Sequence, residues 1–343
     1  MKKLLNTLFV VSEDAYLSLE GENVVVLRGD EKLARYPLHT LESILCFSYK
    51  GASPALMGKC AREKIGLAFF NPSGRFLART CGESHGNVLL RKEQYRCSDA
   101  PDASARIAKE FLTGKVYNSR NVLERALRDH ALRIDVEAVE SASAHLARGL
   151  SDIRECDDLQ RLRGLEGEAT ARYFGVLEEL VLQNREEFRF IGRSRRPPLD
   201  PFNALLSFIY SLLATMCASA LEGVGLDSYV GFMHRDRAGR KSLALDLMEE
   251  LRPILGDRLA LNLINNREIA PKHFEKSENG AVMLGDSGRK VVLSAWQERK
   301  KETITHPFLD EKIAWGLVPH AQALLLARFL RGDLDTYPPF LWK

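Results

Sequence analysis

The residues best placed to do chemistry lie in GLDSYVGFMHRDRAGRKSLALDLMEELRP, residues 225–253, where His234 stands just upstream of a short amphipathic helix carrying Asp246 and Glu249. The helix is expected to start near Ser242, a good N-cap, and to stop before Pro253. Asp246 and Glu249 then fall at i and i+3 on one face, while Leu243, Leu247 and Leu251 line another. An imidazole beside a carboxylate pair is half of a metal site. A third hard ligand has to come from elsewhere, and the best candidate is Glu166 in RLRGLEGEATARYFGVLEEL, at a helix start among apolar Leu162, Leu165 and Ala169. Each residue taken singly also has a plain reading: Glu166 as an acid favoured by a helix start, His234 as a hydrogen-bonded loop histidine, Glu249 as a solvated acid.

The elements that must hold these side chains change character near residues 85–100. Before that point, residues 7–11, 16–19, 23–27, 44–47, 67–70 and 75–79 are short apolar or β-branched runs separated by turn signals such as EGEN and NPSG. A helical insert is expected over 53–63, and SGRF at 73–76 reads as a hairpin turn. After residue 100, Ile107, Phe111, Val116, Leu123, Leu127, Ala131 and Ile134 recur at helical spacing. The expected fold is therefore α+β: a β-rich N-terminal domain over 1–92, a polar linker over 93–103 and a larger all-α domain over 104–343. With 343 residues there is volume for a sizeable core.

Residues 201–221, PFNALLSFIYSLLATMCASAL, carry no charge and are long enough to span a bilayer. The polar stripe Asn203, Ser207, Ser211, Thr215 and Ser219, suited to close helix packing, favours a buried core helix among charged amphipathic neighbours. The formal charge of +3 permits a polyanionic partner without demanding one. Six scattered cysteines with no CxxC pair suggest neither a zinc knuckle nor a disulfide framework, and read as reduced thiols of a cytoplasmic protein. Local basic clusters are the candidate DNA contacts. One is Arg185, Arg189, Arg193, Arg195 and Arg196, interleaved with Phe188 and Phe190; the other is Arg299, Lys300 and Lys301 behind Trp296. The bland alternative for both is a solvated face.

The order of EG-x-A, RRPPLDPFNALLSFIY, GLD-x-Y-x-GF-x-H and SLALDLMEELRP resembles the CRISPR-associated integrase family, the spacer-acquisition endonuclease numbered one among the CRISPR-associated proteins. NVLLRKEQY at 87–95, KVYNSRNVL from Lys115, WQERKKETITHPF from Trp296 and the YPPFLWK terminus extend the likeness over most of the chain and look most like the type I-C branch. One departure is Ser228, where the family usually carries proline, which predicts a looser turn.

The resemblance implies a metal site formed by Glu166, His234 and Glu249, with Asp246 or Arg252 supporting it; Asp246 would orient His234, a ligand water or Arg252. Two carboxylates and an imidazole suit magnesium or manganese. It further implies DNA integration. The 3′ hydroxyl of a captured double-stranded fragment attacks a phosphodiester at the border of a CRISPR repeat, within a homodimer that joins the second CRISPR-associated adaptation protein in a heterohexamer, with an end-processing CRISPR-associated nuclease in some systems. A metal-dependent nuclease without strand transfer and a non-enzymatic DNA-bridging scaffold are the alternatives.

Overall fold

The structure, a computed structural model, describes residues 6–12, 14–71, 76–80, 82, 88–194 and 197–342. Its N-terminal strands are β1 (Asn6–Val10), β2 (Tyr16–Glu20), β3 (Asn23–Arg28), β4 (Glu31–Pro37), β5 (Leu41–Cys46), β6 (Gly66–Phe70) and β7 (Phe76–Arg79), with α1 (Pro54–Arg62) between β5 and β6. They form an antiparallel sheet β2-β3-β4 and a mixed sheet β1-β5-β6-β7, in which β5 runs parallel to β1 and β6. The near-continuous apolar runs of β5 and β6 follow from burial on both faces. Ile44, Cys46 and Leu67 pack with Leu17 and Leu56 in one core, while Leu45, Phe47 and Phe70 join the helical core. Phe47 stacks on Phe70 at 5.1 Å and on Phe208 at 6.1 Å, so the sheet is a layer of the same core that holds the helices.

The expected strands are found, together with β4, which sequence patterning misses because it is a charged, largely exposed edge strand. Of the hairpin turn expected at 73–76, residues 73–75 lie outside the described ones, while Phe76 opens β7, which pairs antiparallel with β6. Residues 93–103 correct the expected linker. They are helical, lying in α2 (Val88–Asp99) and the start of α3 (Pro101–His130), with Pro101 opening α3 at a position where a missing N–H costs nothing. Their polarity has a different cause, described below.

The helical part continues with α4 (Val136–Glu155), α5 (Leu159–Gly175), α6 (Pro201–Gly223), α7 (Ser242–Glu249), α8 (Arg258–Asn265), α9 (Asp286–Lys301) and α10 (Val318–Leu330). Asp135, Asp158 and Asp200 cap α4, α5 and α6 by accepting from the N–H three residues on. This part is not all α as expected, since two small hairpins interrupt the helices: β8 (Phe274–Lys276) with β9 (Val282–Leu284), and β10 (Thr303–Thr305) with β11 (Lys312–Ala314).

α6 is long and apolar enough to cross a membrane, yet 72% of its most apolar stretch is buried inside the fold, as a core helix requires. Its polar stripe is used locally rather than for close packing. Ser211 and Thr215 hydroxyls donate to carbonyls one turn back, Asn203 and Ser207 receive Arg193, and Ser219 is exposed.

Candidate active site

The segment 225–241 that carries His234 has no regular structure of its own, so its shape is imposed from outside. α2 supplies most of that. Gln94, fully buried, donates from Nε2 to the carbonyls of Asp227 and Val230 at 2.8 Å and accepts the Asp227 N–H at 2.9 Å. Tyr95 donates to Asp227 Oδ2 at 3.0 Å, and Ser98 to the Gly231 carbonyl at 2.9 Å. The polar content of residues 93–103 is thus a clamp on a loop more than 130 positions away. From the other side Arg163 Nε donates to the Met233 carbonyl at 2.6 Å. Ser228, in place of proline, does not loosen the turn: it is buried and donates to Glu222 Oε1 at 2.8 Å, a carboxylate that also pairs with Arg79 of β7.

Asp246 closes the loop onto α7. Its Oδ2 accepts the N–H groups of Phe232 and Met233 at 2.7 and 3.0 Å, and its Oδ1 accepts the His234 N–H at 3.0 Å and lies 2.5 Å from His234 Nδ1. Gly231 is required for this approach, because a Cβ there would lie 2.8 Å from Asp246 Oδ2 and from Ser242 Cβ. A carboxylate partner places the imidazole proton on Nδ1 and leaves the Nε2 lone pair directed away. Of the roles open to Asp246, the geometry selects the orientation of His234.

Glu249, one turn further along α7, is 1% exposed. Its Oε1 pairs with Arg252 Nη1 at 2.9 Å and lies 3.8 Å from His234 Nε2, and its Oε2 lies 2.8 Å from Lys115 Nζ. Burial alone would raise its pKa, but Arg252 and Lys115 overrule that and hold the carboxyl at about 2. The same Lys115 ammonium bonds Glu166 Oε1, which also accepts from Thr170 Oγ1 at 3.0 Å. Glu166 lies mid-way along α5, so the helix-start reading does not apply.

Two details of α7 differ from expectation. Ser242 is its first residue rather than its N-cap, its hydroxyl donating to the Arg235 carbonyl. The chain also does not leave helical geometry at Pro253: a π-helical turn, Arg252–Asp257, carries it into α8, with proline in the opening turn where its missing N–H is tolerated. That turn aims Arg252 at Glu249 and over the Tyr210 ring at 5.0 Å, while Tyr210 donates to the buried Asp257.

Lys115 is the residue that sequence reasoning missed. It sits in the KVYNSRNVL segment, but a lone lysine on a long amphipathic helix gives no local sign of its partners. Among the described residues, no three His, Cys, Asp or Glu side chains are drawn together tightly enough to hold a metal ion, since the Lys115 ammonium stands between the two glutamates. The donor chemistry nevertheless fits a hard divalent cation. Glu249 Oε2 is buried without a hydrogen bond of good alignment, and the seat it shares with Glu166 is already taken by a cation.

The basic clusters are mostly spent inside the protein. Phe188, Phe190 and Trp296 are core residues, closed to stacking on a base. Arg185 donates to the Val181, Arg133 and Glu179 carbonyls, and Arg193 to Ser194, Asn203 and Ser207. Arg299 pairs with Glu302 and lies over Trp315 at 4.9 Å; Lys300 is buried on Glu42 and Thr7 of the N-terminal sheet. Arg189 and Lys301 remain at the surface near Glu178 and Glu298, and Arg195 and Arg196 lie outside the described residues. His306 is fully buried and bonded to Gln322, a packing role.

A β-rich layer backed by a helical domain, on which Glu166, His234 and Glu249 come together, is an architecture shared with other solved structures. A casposase bound to an integration product has the same fold, with a TM-score of 0.84 at 20% identity over 99% of this chain and 95% of its own. A Cas6-RT-Cas1–Cas2 complex contains a chain similar over 36% of its length, with a TM-score of 0.82 at 22% identity over 100% of this chain. Residues 8–298 match the family described as CRISPR associated protein Cas1. CRISPR-associated endonuclease Cas1 2 of Rhodospirillum rubrum is 52% identical, and CRISPR-associated endonuclease Cas1 1 of Chlorobaculum tepidum 49% identical, each over 100% of both chains. A Cas4 exonuclease/Cas1 endonuclease fusion of Geobacter sulfurreducens is 33% identical over 98% of this chain and 60% of its own length. The chain belongs to the Cas1 family of CRISPR-associated endonucleases.

Proposed function

We propose that this protein is a metal-dependent integrase of CRISPR adaptation, in which Glu166, His234 and Glu249 hold magnesium or manganese. The observation that carries the reading is that Glu249 of α7 meets both partners: Glu166 of α5 through the Lys115 ammonium they share, and His234 of the 225–241 loop at 3.8 Å. Bound there, the divalent ion would neutralise the charge that builds on a phosphodiester during attack.

The protein's own groups prepare that site. Asp246 fixes the His234 ring with Nε2 free, α2 and Arg163 lock the loop, and Arg252 keeps Glu249 ionised although buried. The reaction is a transesterification: the 3′ hydroxyl of a short DNA fragment forms a new P–O bond at the border of a CRISPR repeat while the old P–O bond breaks and frees another 3′ hydroxyl. One bond of the same kind is made for each one broken, so the reverse, joint-resolving reaction runs at the same site.

The relatives lend support to the Cas2 and Cas4-type partners of the proposed setting. A homodimer would work with Cas2 in a heterohexameric complex on double-stranded DNA in the cytoplasm, with a Cas4-type nuclease trimming donor ends, as the Cas1–Cas2 complex and the Cas4/Cas1 fusion suggest. The closing YPPFLWK and the KVYNSRNVL segment favour the type I-C branch.

The test is a labelled branched DNA incubated with manganese and either wild type or Glu166→Ala, alone and with Cas2, then run on a denaturing gel. A rejoined strand made only by wild type is expected. Rejoining by Glu166→Ala would remove that residue from the site; cleavage without rejoining would reduce the protein to a nuclease, and binding without any product would leave a scaffold.

A further inference from the structure

Lys115 has no role in the reading above, yet it is the most connected group in the site. Its side chain, 8% exposed, leaves the middle of α3 and places Nζ on both Glu166 Oε1 and Glu249 Oε2. α3 can approach so closely because Gly114 faces Glu250, where a Cβ would lie 2.8 Å from that residue's Cβ. Beside the ammonium lies a small cleft of about 20 Å³, room for about one water-sized group, lined by Lys115, Thr170, Tyr173, Tyr210, Arg252 and Asp257. Among the described residues that line it, the cations are Lys115 and Arg252, and Arg252 is engaged by Glu249.

Charge counting shows what this arrangement does. Glu166, Glu249 and Asp246 carry three negative charges against the two positive charges of Lys115 and Arg252. A divalent ion held between the glutamates would add two positive charges to that cluster and so favour a phosphodiester beside it. The ion also takes the carboxylate oxygens that Lys115 holds, and the released ammonium has the adjoining cleft into which to turn.

We propose that Lys115 is the built-in counter-cation of the Glu166–Glu249 pair and couples divalent-ion binding to DNA binding. Without DNA it competes with the ion; a DNA phosphate brought up to the site draws the ammonium off the carboxylates and so favours the ion. This inference rests on the metal-site reading of Glu166 and Glu249. By linkage the coupling is reciprocal: the ion must strengthen DNA binding by the same factor.

The test measures free Mn²⁺ by electron paramagnetic resonance during titration of the full chain, with and without a saturating duplex whose 3′ ends are dideoxy-terminated. Wild type is expected to bind Mn²⁺ about fivefold or more tightly with the duplex, the lower end of ordinary coupling between sites. Lys115→Met should bind Mn²⁺ more tightly than wild type without DNA and lose most of the coupling, and Lys115→Arg should restore weak binding and coupling. A Lys115→Met protein that binds Mn²⁺ no better than wild type, or keeps the full coupling, overturns the proposal, because a merely structural lysine would weaken the site when removed. Should Lys115→Met fail to fold by circular dichroism, Lys115→Gln takes its place, with the same expected gain and the same overturning result. Absence of Mn²⁺ binding to wild type sinks the metal-site reading along with this one, whereas binding that is lost in Glu166→Ala but unchanged in Lys115→Met sinks this one alone.

Discussion

Asp246 touches His234 twice, once at the backbone N–H at 3.0 Å and once at ring Nδ1 at 2.5 Å, so one carboxylate fixes both where the histidine is and which way it faces. Its other oxygen takes two more N–H groups of the same loop. Asparagine cannot replace it, because either amide orientation sets an NH₂ against two donors. Asp246→Asn should therefore cost about 2–4 kcal/mol of stability and weaken Mn²⁺ binding about 10- to 100-fold. Thermal unfolding and manganese titration check it; affinity within twofold of wild type would mean that the His234 ring is oriented by something else.

Glu250, the neighbour of Glu249, predicts a pH effect of defined sign. Burial pushes its carboxyl from 4.5 up to about 7, against the pull of donors from Phe340 N, Tyr337 and Gln322. Because the folded value is raised, the native state holds a proton that the unfolded chain has released. The resulting stabilisation is full below about pH 4.5 and is lost as pH rises through about 7, a decline of about 3 kcal/mol in all. Denaturant unfolding at pH 5.5 and 8.5 should show the loss, and Glu250→Gln should flatten it; an equal slope in the variant assigns the proton to another group.

Lys300 separates a basic residue used for folding from one available to DNA. It is 5% exposed and bonded to Glu42 and Thr7, tying α9 to the N-terminal sheet. Lys300→Met leaves Glu42 without its partner and should cost about 3 kcal/mol, with no change in the salt dependence of duplex binding. Lys301→Ala, at the surface, should change stability by less than about 0.5 kcal/mol and the salt slope by at most about one unit. A lower slope in Lys300→Met at unchanged stability would return that lysine to the DNA face.

These contrasts mark where sequence patterning succeeds. Glu166, His234, Asp246 and Glu249 stand out in the sequence because short motifs hold them, and the structure brings them near one another; the strands of the mixed sheet are legible because two-sided burial forces continuous apolar runs. The polarity of residues 93–103 misled because Gln94, Tyr95 and Ser98 spend their hydrogen bonds on a loop far along the chain, a pairing without local periodicity. Arg185, Arg193 and Lys300 read as a polyanion surface for the same reason: composition records a charge, whereas its partner is set by tertiary packing. Lys115 needed both glutamates in place before its position had meaning.

Asn118, one helical turn beyond Lys115 on α3, shows how the chain end supports the site. Fully buried, it donates from Nδ2 to the Glu250 and Phe340 carbonyls at 2.7 Å each and accepts the Trp342 N–H at 2.9 Å. The C-terminal segment is thereby fastened to the residue that follows Glu249, and the spacing of α3 from α7, on which the Lys115–Glu249 contact depends, is fixed. Asn118→Ala orphans three buried groups and should cost about 3 kcal/mol, several degrees in melting temperature. Asn118→Asp should be worse, since it points a carboxylate oxygen at two carbonyls. The order of the two variants in calorimetry is the decisive reading: an aspartate better tolerated than alanine would reverse the amide assignment, and with it the argument that the strap holds α3 against α7.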